Sequence, residues 1–371
     1  MLKKLLILLP LGILVLLGMT IFQRIEKNPH GVIPTPYKFA ELGEKIQVDA
    51  PLLITGDRMA QRFGLFKETL SLEISQGLSK ALKVGVLAKE NQGMHRTLNQ
   101  MENLAKWPKV VIYTGGSEEM VEDKFLIQQI PIIRTNFERY QDDRWRTLMM
   151  LMPETARLIY EPLERIILAD SPKIADEKSE EEFQRGLEIS LRLYEIELLR
   201  FIEEARSHDT LLILMTVPVN LDIAPKKTCE ITRTPETVSE MEAIRSLLKQ
   251  QDYKAAYPRS KTLMETSLAN AEVHYLFGQI AHRVGQHEES KTALKKAAAY
   301  DCKSWRANEM TNNIIRKVAD SERVTLFDFS ALVEEDWNRN TTFFDEIYPQ
   351  DLYYERANKA LAVVLKRLLK I

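Results

Sequence analysis

Apolar positions along this chain follow two rhythms. Five runs are continuous rather than alternating: Leu52–Thr55, Val84–Ala88, Val110–Tyr113, Leu211–Val217 and Val324–Phe327. Short unbroken apolar runs suit strands covered on both faces. Between them the spacing changes to that of helices. Ser179 and Glu182 form a capping box, and Phe183, Leu187, Leu191, Tyr194, Leu198 and Ile202 follow at three- and four-residue steps. Ala357–Leu369 repeats that pattern at the end of the chain and closes the sheet. Strands alternating with helices predict an α/β fold whose strands are parallel and joined by right-handed crossovers.

One segment breaks the alternation. From Lys226 to Ser304 the pattern is helical throughout. Aligned on itself it has a period of 34 residues, which pairs Ala256 with Ser290, Ser260 with Leu294 and Leu263 with Ala297. The second copy carries Gly278, Ala281, Gly285, Ser290, Leu294 and Ala297 at spacings that resemble a tetratricopeptide repeat. Small residues there let paired helices approach closely. The first copy holds Pro258 inside its second helix, which should kink or shorten it. Two repeats are fewer than a free-standing solenoid needs, so they are expected to lean on the sheet.

The N-terminus adds a third pattern. After Lys3 and Lys4, Leu5–Phe22 is an uncharged apolar run of 18 residues. At 1.5 Å per residue that is just enough to cross a bilayer core of ~30 Å. A cleaved signal peptide is the rival reading, but Gln23-Arg24-Ile25-Glu26-Lys27 follows where a small-residue cleavage site would stand. An uncleaved anchor over 5–23 is therefore favoured, with the soluble part extracytoplasmic, periplasmic or extracellular. The proline- and glycine-bearing stretch 24–50 reads as a linker.

Composition changes the picture little. A formal net charge of -2 with both signs mixed along the chain gives no basic face and no reason to expect nucleic-acid binding. Two cysteines occur, Cys229 and Cys302. Outside the cytoplasm they could pair, and two free or buried thiols are the equal alternative. His282 and His287 lie five apart, off one helical face and without a carboxylate at ligand spacing, so no metal site and no cofactor is expected. The Met-rich Leu148–Tyr160 reads as core, and the acid-rich Ala175–Glu182 as a solvated helix start.

Four motifs fall at strand ends or before the last helix: Gly56-Asp57-Arg58, "TGGSEE" from Thr114, "TVPVN" from Thr216 and "DEIYP" from Asp345. With "NQGMHR" after the second strand, they resemble in order and spacing the SGNH (GDSL) hydrolase superfamily, in particular members with a tetratricopeptide insertion. The resemblance covers 51–371. It implies a flavodoxin-like three-layer fold with five parallel strands and an all-α insertion. Residues 1–4 would be a tail, 51–225 and 304–371 the two parts of the SGNH-like domain, and 226–303 the insertion.

The resemblance also implies where the chemistry should be, and there the residues depart from it. The family's nucleophilic serine falls on Arg58, and guanidinium neither attacks a carbonyl nor acts as a base. The oxyanion-hole glycine falls on Gly93 and the oxyanion asparagine on Ser117, whose hydroxyl is shorter. The aspartate–histidine pair falls on Asp345 and Tyr348, and a phenol is a poor base at neutral pH. Arg58 is expected to pair with Asp345 across the old site. His95, with Asp57 or Glu118, is the alternative cleft machinery. The expectation is a membrane-anchored pseudoenzyme of the bacterial envelope that binds or scaffolds, with a protein partner at the insertion or an anionic or glycan ligand in the cleft. The competing expectation is an esterase or acyltransferase on acylated envelope glycans or lipids.

Overall fold

The computed structural model describes residues 15–20, 45–76, 81–120, most of 130–144 with 122, 125 and 128, then 180–303, 305–338 and 341–370. Five parallel strands form one sheet: β1 (Leu52–Gly56), β2 (Val84–Ala88), β3 (Val110–Thr114), β4 (Leu211–Met215) and β5 (Thr325–Phe327). Their spatial order is β2-β1-β3-β4-β5, the flavodoxin-like order of a doubly wound sheet. Leu52 pairs in register with both Val84 and Val110, and Val110 with Leu211. The expected β4 runs two residues too far. Val217 leaves the ladder because its amide and carbonyl are taken by the Asn312 side chain at 2.9 and 2.8 Å.

Side chains alternate between two cores, as the pleat requires. Leu52, Ile54, Val110, Ile112, Ile213 and Met215 point to one face. There they meet α1 (Arg58–Gly64), α2 (Lys67–Ser75), α11 (Phe329–Glu334) and α12 (Asp351–Leu369). Leu53, Val111, Tyr113, Leu212 and Leu214 point to the other. They meet α3 (Met94–Glu102), α5 (Glu180–Ser207) and α10 (Glu309–Ser321), while α4 (Ile130–Gln141) packs on α5. β1 and β3 are buried along their whole length, which is why their runs carry no polar alternation. α12 begins six residues before the expected Ala357, where Tyr353 and Tyr354 are already core.

The segment between β4 and α10 holds two successive helical hairpins, α6 (Pro235–Lys249) with α7 (Tyr253–Thr266) and α8 (Ala271–Arg283) with α9 (His287–Ala299). Each helix packs on the next. The residues paired by the 34-residue period share one environment, since Ala256, Ser260, Leu263, Ser290, Leu294 and Ala297 are all buried. A Cβ on Gly278 would sit 2.7 Å from the Leu294 side chain, so only glycine allows α8 to lie this close to α9. Pro258 does not shorten α7, which runs 14 residues. It sits early enough to cost the helix one main-chain hydrogen bond, to Lys254. Leu294 and Ala298 of α9 belong to the same core as β1 and α12, so the second hairpin shares the sheet's core, while α6 and α7 pack with α8 in a cluster of their own.

Cys229 and Cys302 are joined as a disulfide with Cα atoms 5.4 Å apart, tying the start of this segment to its end. Among the described residues no helix is long and apolar enough to cross a membrane. The expected anchor over 5–23 lies outside the described residues apart from 15–20, which are helical and exposed. The capping residue Ser179, the Met-rich 148–160 and most of 175–182 and of the expected linker also lie outside them.

Candidate functional site

The carboxyl ends of β1 and β3 meet too closely for side chains. Gly56 has φ 137°, and a Cβ there would lie 1.9 Å from the Thr114 carbonyl oxygen. Glycine is therefore required by both conformation and contact. The chain then turns into α1, where Asp57 is the N-cap: its Oδ1 accepts from the Met59 amide at 2.8 Å. Its Oδ2 accepts from the Ser117 amide at 2.9 Å and from the Ser117 hydroxyl. One buried carboxylate thus ties the turn after β1 to the turn after β3. Burial pushes the Asp57 carboxyl above its usual range, against the pull of these hydrogen bonds.

Arg58 is the first residue of α1, the end where the helix dipole disfavours a cation. Nothing in the helix calls for it there. Its partner explains it: Arg58 Nε donates to Glu118 Oε1, and the Glu118 side chain is fully buried. Burial pushes the Glu118 carboxyl up to about 7, although the guanidinium beside it pulls the other way. Burial also lowers the guanidinium, and the carboxylate more than offsets that. The expected pairing of Arg58 with Asp345 gives way to this one. Asp345 spends Oδ1 on its own loop, accepting from the Ile347 and Tyr348 amides at 2.7 and 2.6 Å.

Tyr348 still comes close. Burial raises its phenol, and the positive charge of Arg58 and negative charges of Glu90, Asp57 and Asp345 act on it. The loop that carries it is fixed by Asn220, whose Nδ2 donates to the Asp345 carbonyl at 2.9 Å. Asp57, Arg58, Ser117, Glu118, Asp345 and Tyr348 therefore gather at one end of the sheet, at its topological switch point.

Gly93 and His95 are placed differently. Gly93 caps α3 without a side chain, and a Cβ there would lie 2.3 Å from Glu122 Oε2. Its role in packing is to admit Glu122, which accepts from the Arg96 amide at 3.2 Å, while Glu119 accepts from the Met94 amide at 2.8 Å. These two carboxylates complement the positive end of α3. His95 Nδ1 lies 3.4 Å from Glu197 Oε1 on α5, both side chains being buried. Burial holds the Glu197 carboxyl well above its usual range.

Sequence reasoning did not single out Glu119, Glu122 or Glu197, because acidic residues are ordinarily solvated. The signal was the run Glu118-Glu119 in the turn after a buried strand, separated from its end at Thr114 by three residues. Arg62 was missed as well. Its guanidinium lies 5.1 Å from the Phe344 ring and 5.8 to 5.9 Å from those of Phe66, Tyr348 and Tyr354, and it bonds Asp351 at 2.6 Å. His282 and His287, distant along the helix surface, come together across the turn at Gly285 (φ 83°), with ring centres 5.2 Å apart. Among the described residues the group of three metal-ligand types within reach of one another is Glu180, Cys229 and Cys302, the last two in the disulfide.

The Ser117 hydroxyl is spent on Asp57, and the position after Asp57 is filled by a cation held in an ion pair. No family model matches this chain, and no curated protein matches it.

Proposed function

We propose that this chain is a catalytically degenerate member of the SGNH (GDSL) superfamily, a pseudoenzyme that works as a binding or scaffold module. The observation that carries the reading is the Arg58–Glu118 ion pair, which stands where a serine nucleophile would be needed. Tyr348 in place of a histidine base supports it, and loss of nucleophile or base in a serine hydrolase costs on the order of 10⁶ in turnover. The flavodoxin-like strand order is consistent with that fold. The two hairpins are read as tetratricopeptide-like repeats that present a surface to a protein partner. The apolar run at Leu5–Phe22 and the disulfide favour a membrane-anchored, extracytoplasmic protein.

The test is hydrolysis of p-nitrophenyl acetate by the full chain in a zwitterionic detergent, with Arg58→Ala and His95→Ala in parallel. The expected result is no turnover above the buffer rate in any of the three. Turnover that disappears in either variant would overturn the reading.

One observation favours the enzyme alternative, an esterase or acyltransferase on acylated envelope glycans or lipids. Ser117 donates its hydroxyl to Asp57, a carboxyl that burial has made more basic. The burial of Ser117 weighs against it, since the hydroxyl is closed off from a substrate. That alternative requires turnover that is lost in Ser117→Ala.

A further inference from the structure

A cavity of about 740 Å³ lies between the helical hairpins and the sheet-bearing part of the chain, within the range of roughly 300–1,000 Å³ typical of small-ligand sites. It is separate from the residues around Arg58. Trp337 forms part of its floor, and the half-buried Tyr253 and Tyr275 stand on its helical side. Its full charges are one acid, Asp222, and one base, Arg283; Gln279 and Asn338 add neutral amides.

The polar groups are held in place. Trp337 Nε1 donates to Asp222 Oδ1 at 3.3 Å, and the Tyr275 hydroxyl donates to the Asp222 carbonyl at 2.8 Å. The His282 ring lies 5.3 Å from that of Trp337, and its Nδ1 is buried without a hydrogen-bond partner. The Asp222 amide donates to Asn220 Oδ1 at 3.1 Å, and Asn220 also holds the loop of Asp345 and Tyr348.

We propose that this cavity binds a short neutral glycan. A sugar ring presents an apolar C–H face and a rim of hydroxyls, each both donor and acceptor. The lining holds groups for both halves: Trp337, Tyr253 and Tyr275 as aromatic residues for the ring, and an acceptor, a donor and two amides with both capacities for the rim. The balance of one acid against one base disfavours an anionic or cationic ligand. The walls on the insertion side are helices whose main chain is already bonded, so no edge is offered for an extended peptide. This assignment deepens the binding-module reading but does not require a dead remnant site, because the cavity lies apart from Arg58.

The test is titration calorimetry of the full chain in a zwitterionic detergent, avoiding sugar-headed detergents that would compete. The probes are cellotriose, chitotriose, maltotriose and a hexaglutamate peptide. The expected result is binding of at least one trisaccharide, weakened at least about tenfold in the Gln279→Ala/Asn338→Ala double variant, whose two positions are exposed and should leave the fold intact. Circular dichroism of the variant checks that fold. No binding by any trisaccharide at millimolar concentration would overturn the proposal. So would unchanged affinity in the folded variant, or binding of the hexaglutamate alone. Ester turnover is read in a different assay, so failure of the pseudoenzyme reading is recognised independently.

Discussion

At the carboxyl edge of the sheet, Asp57, Glu118 and Glu119 are buried, and Arg58 is brought in beside them. Across the helical hairpins the charges lie outside: Arg245 with Glu272 and Arg259 with Glu240 are paired on the surface. The hairpins are joined by small residues and apolar contacts, with Gly278 and Ser290 letting α8 and α9 touch. The two regions teach different lessons about charge. On the hairpins an ion pair is an accessory in high dielectric, and its loss changes little. At the strand ends each buried charge depends on its partner, because a solitary one has neither water nor counter-charge. A region that keeps such a costly arrangement where a fold needs none is the better place to look for function.

The comparison can be broken most directly at Glu118. Glu118→Ala leaves the Arg58 guanidinium without its partner and is expected to lower stability by about 3–5 kcal/mol. Chemical denaturation of variant and wild type measures it. A loss below about 1 kcal/mol would put the pair in the same class as the surface ones. The double variant Arg58→Met/Glu118→Leu should recover most of the loss, since apolar replacements of similar volume remove both charges together.

At the junction of the two regions, the disulfide offers the next largest effect. Cys302→Ser opens the link to Cys229, which closes a loop spanning 73 residues of sequence separation. The expected loss is about 2–5 kcal/mol in thermal or denaturant unfolding, with wild type under reducing conditions behaving like the variant. Within the hairpins, Gly278→Ala forces a methyl group against Leu294 and should cost about 1–3 kcal/mol. Arg245→Ala is expected to cost less than about 1 kcal/mol and sets the small end of the scale.

The comparison is sharpened by pH. Glu118 has its folded carboxyl raised from 4.5 to about 7. Its neutral form is favoured by folding, so its contribution is fully present below the unfolded value and is lost as pH rises through about 7. Asp57 and Glu197 are raised too and act in the same direction. The melting temperature of Glu118→Gln, followed from pH 4.5 to 7.5, should therefore decline less steeply than that of the wild type. Equal slopes would mean that Glu118 titrates alike in folded and unfolded chains.

Much of the architecture was legible beforehand because it follows from local patterns. Five unbroken apolar runs became five parallel strands, and the 34-residue period became two hairpins with matching buried positions. Those patterns are written in neighbouring residues, since strand pleat and helix pitch act over a few positions. The strand-to-helix turn at Gly56-Asp57-Arg58 was legible for the same reason: a turn after a strand is a local feature. So were the two cysteines, but not their joining, because pairing depends on how two distant backbone points approach.

What the tertiary structure decided concerns partners. Sequence order offers Asp345 as a mate for Arg58, yet its carboxylate closes its own loop, and Glu118 from the turn after β3 takes the cation instead. His95 faces Glu197 rather than standing as a lone loop histidine, and Gly93 makes room for Glu122. His282 and His287 meet across a turn that no helical-face count describes. The sequence by itself determined which segments become strands and helices and that an arginine follows the Gly56-Asp57 turn, because periodicity and turn chemistry are short-range. Which charge meets which, and that a cavity opens between the hairpins and the sheet, was decided by packing between segments distant along the chain.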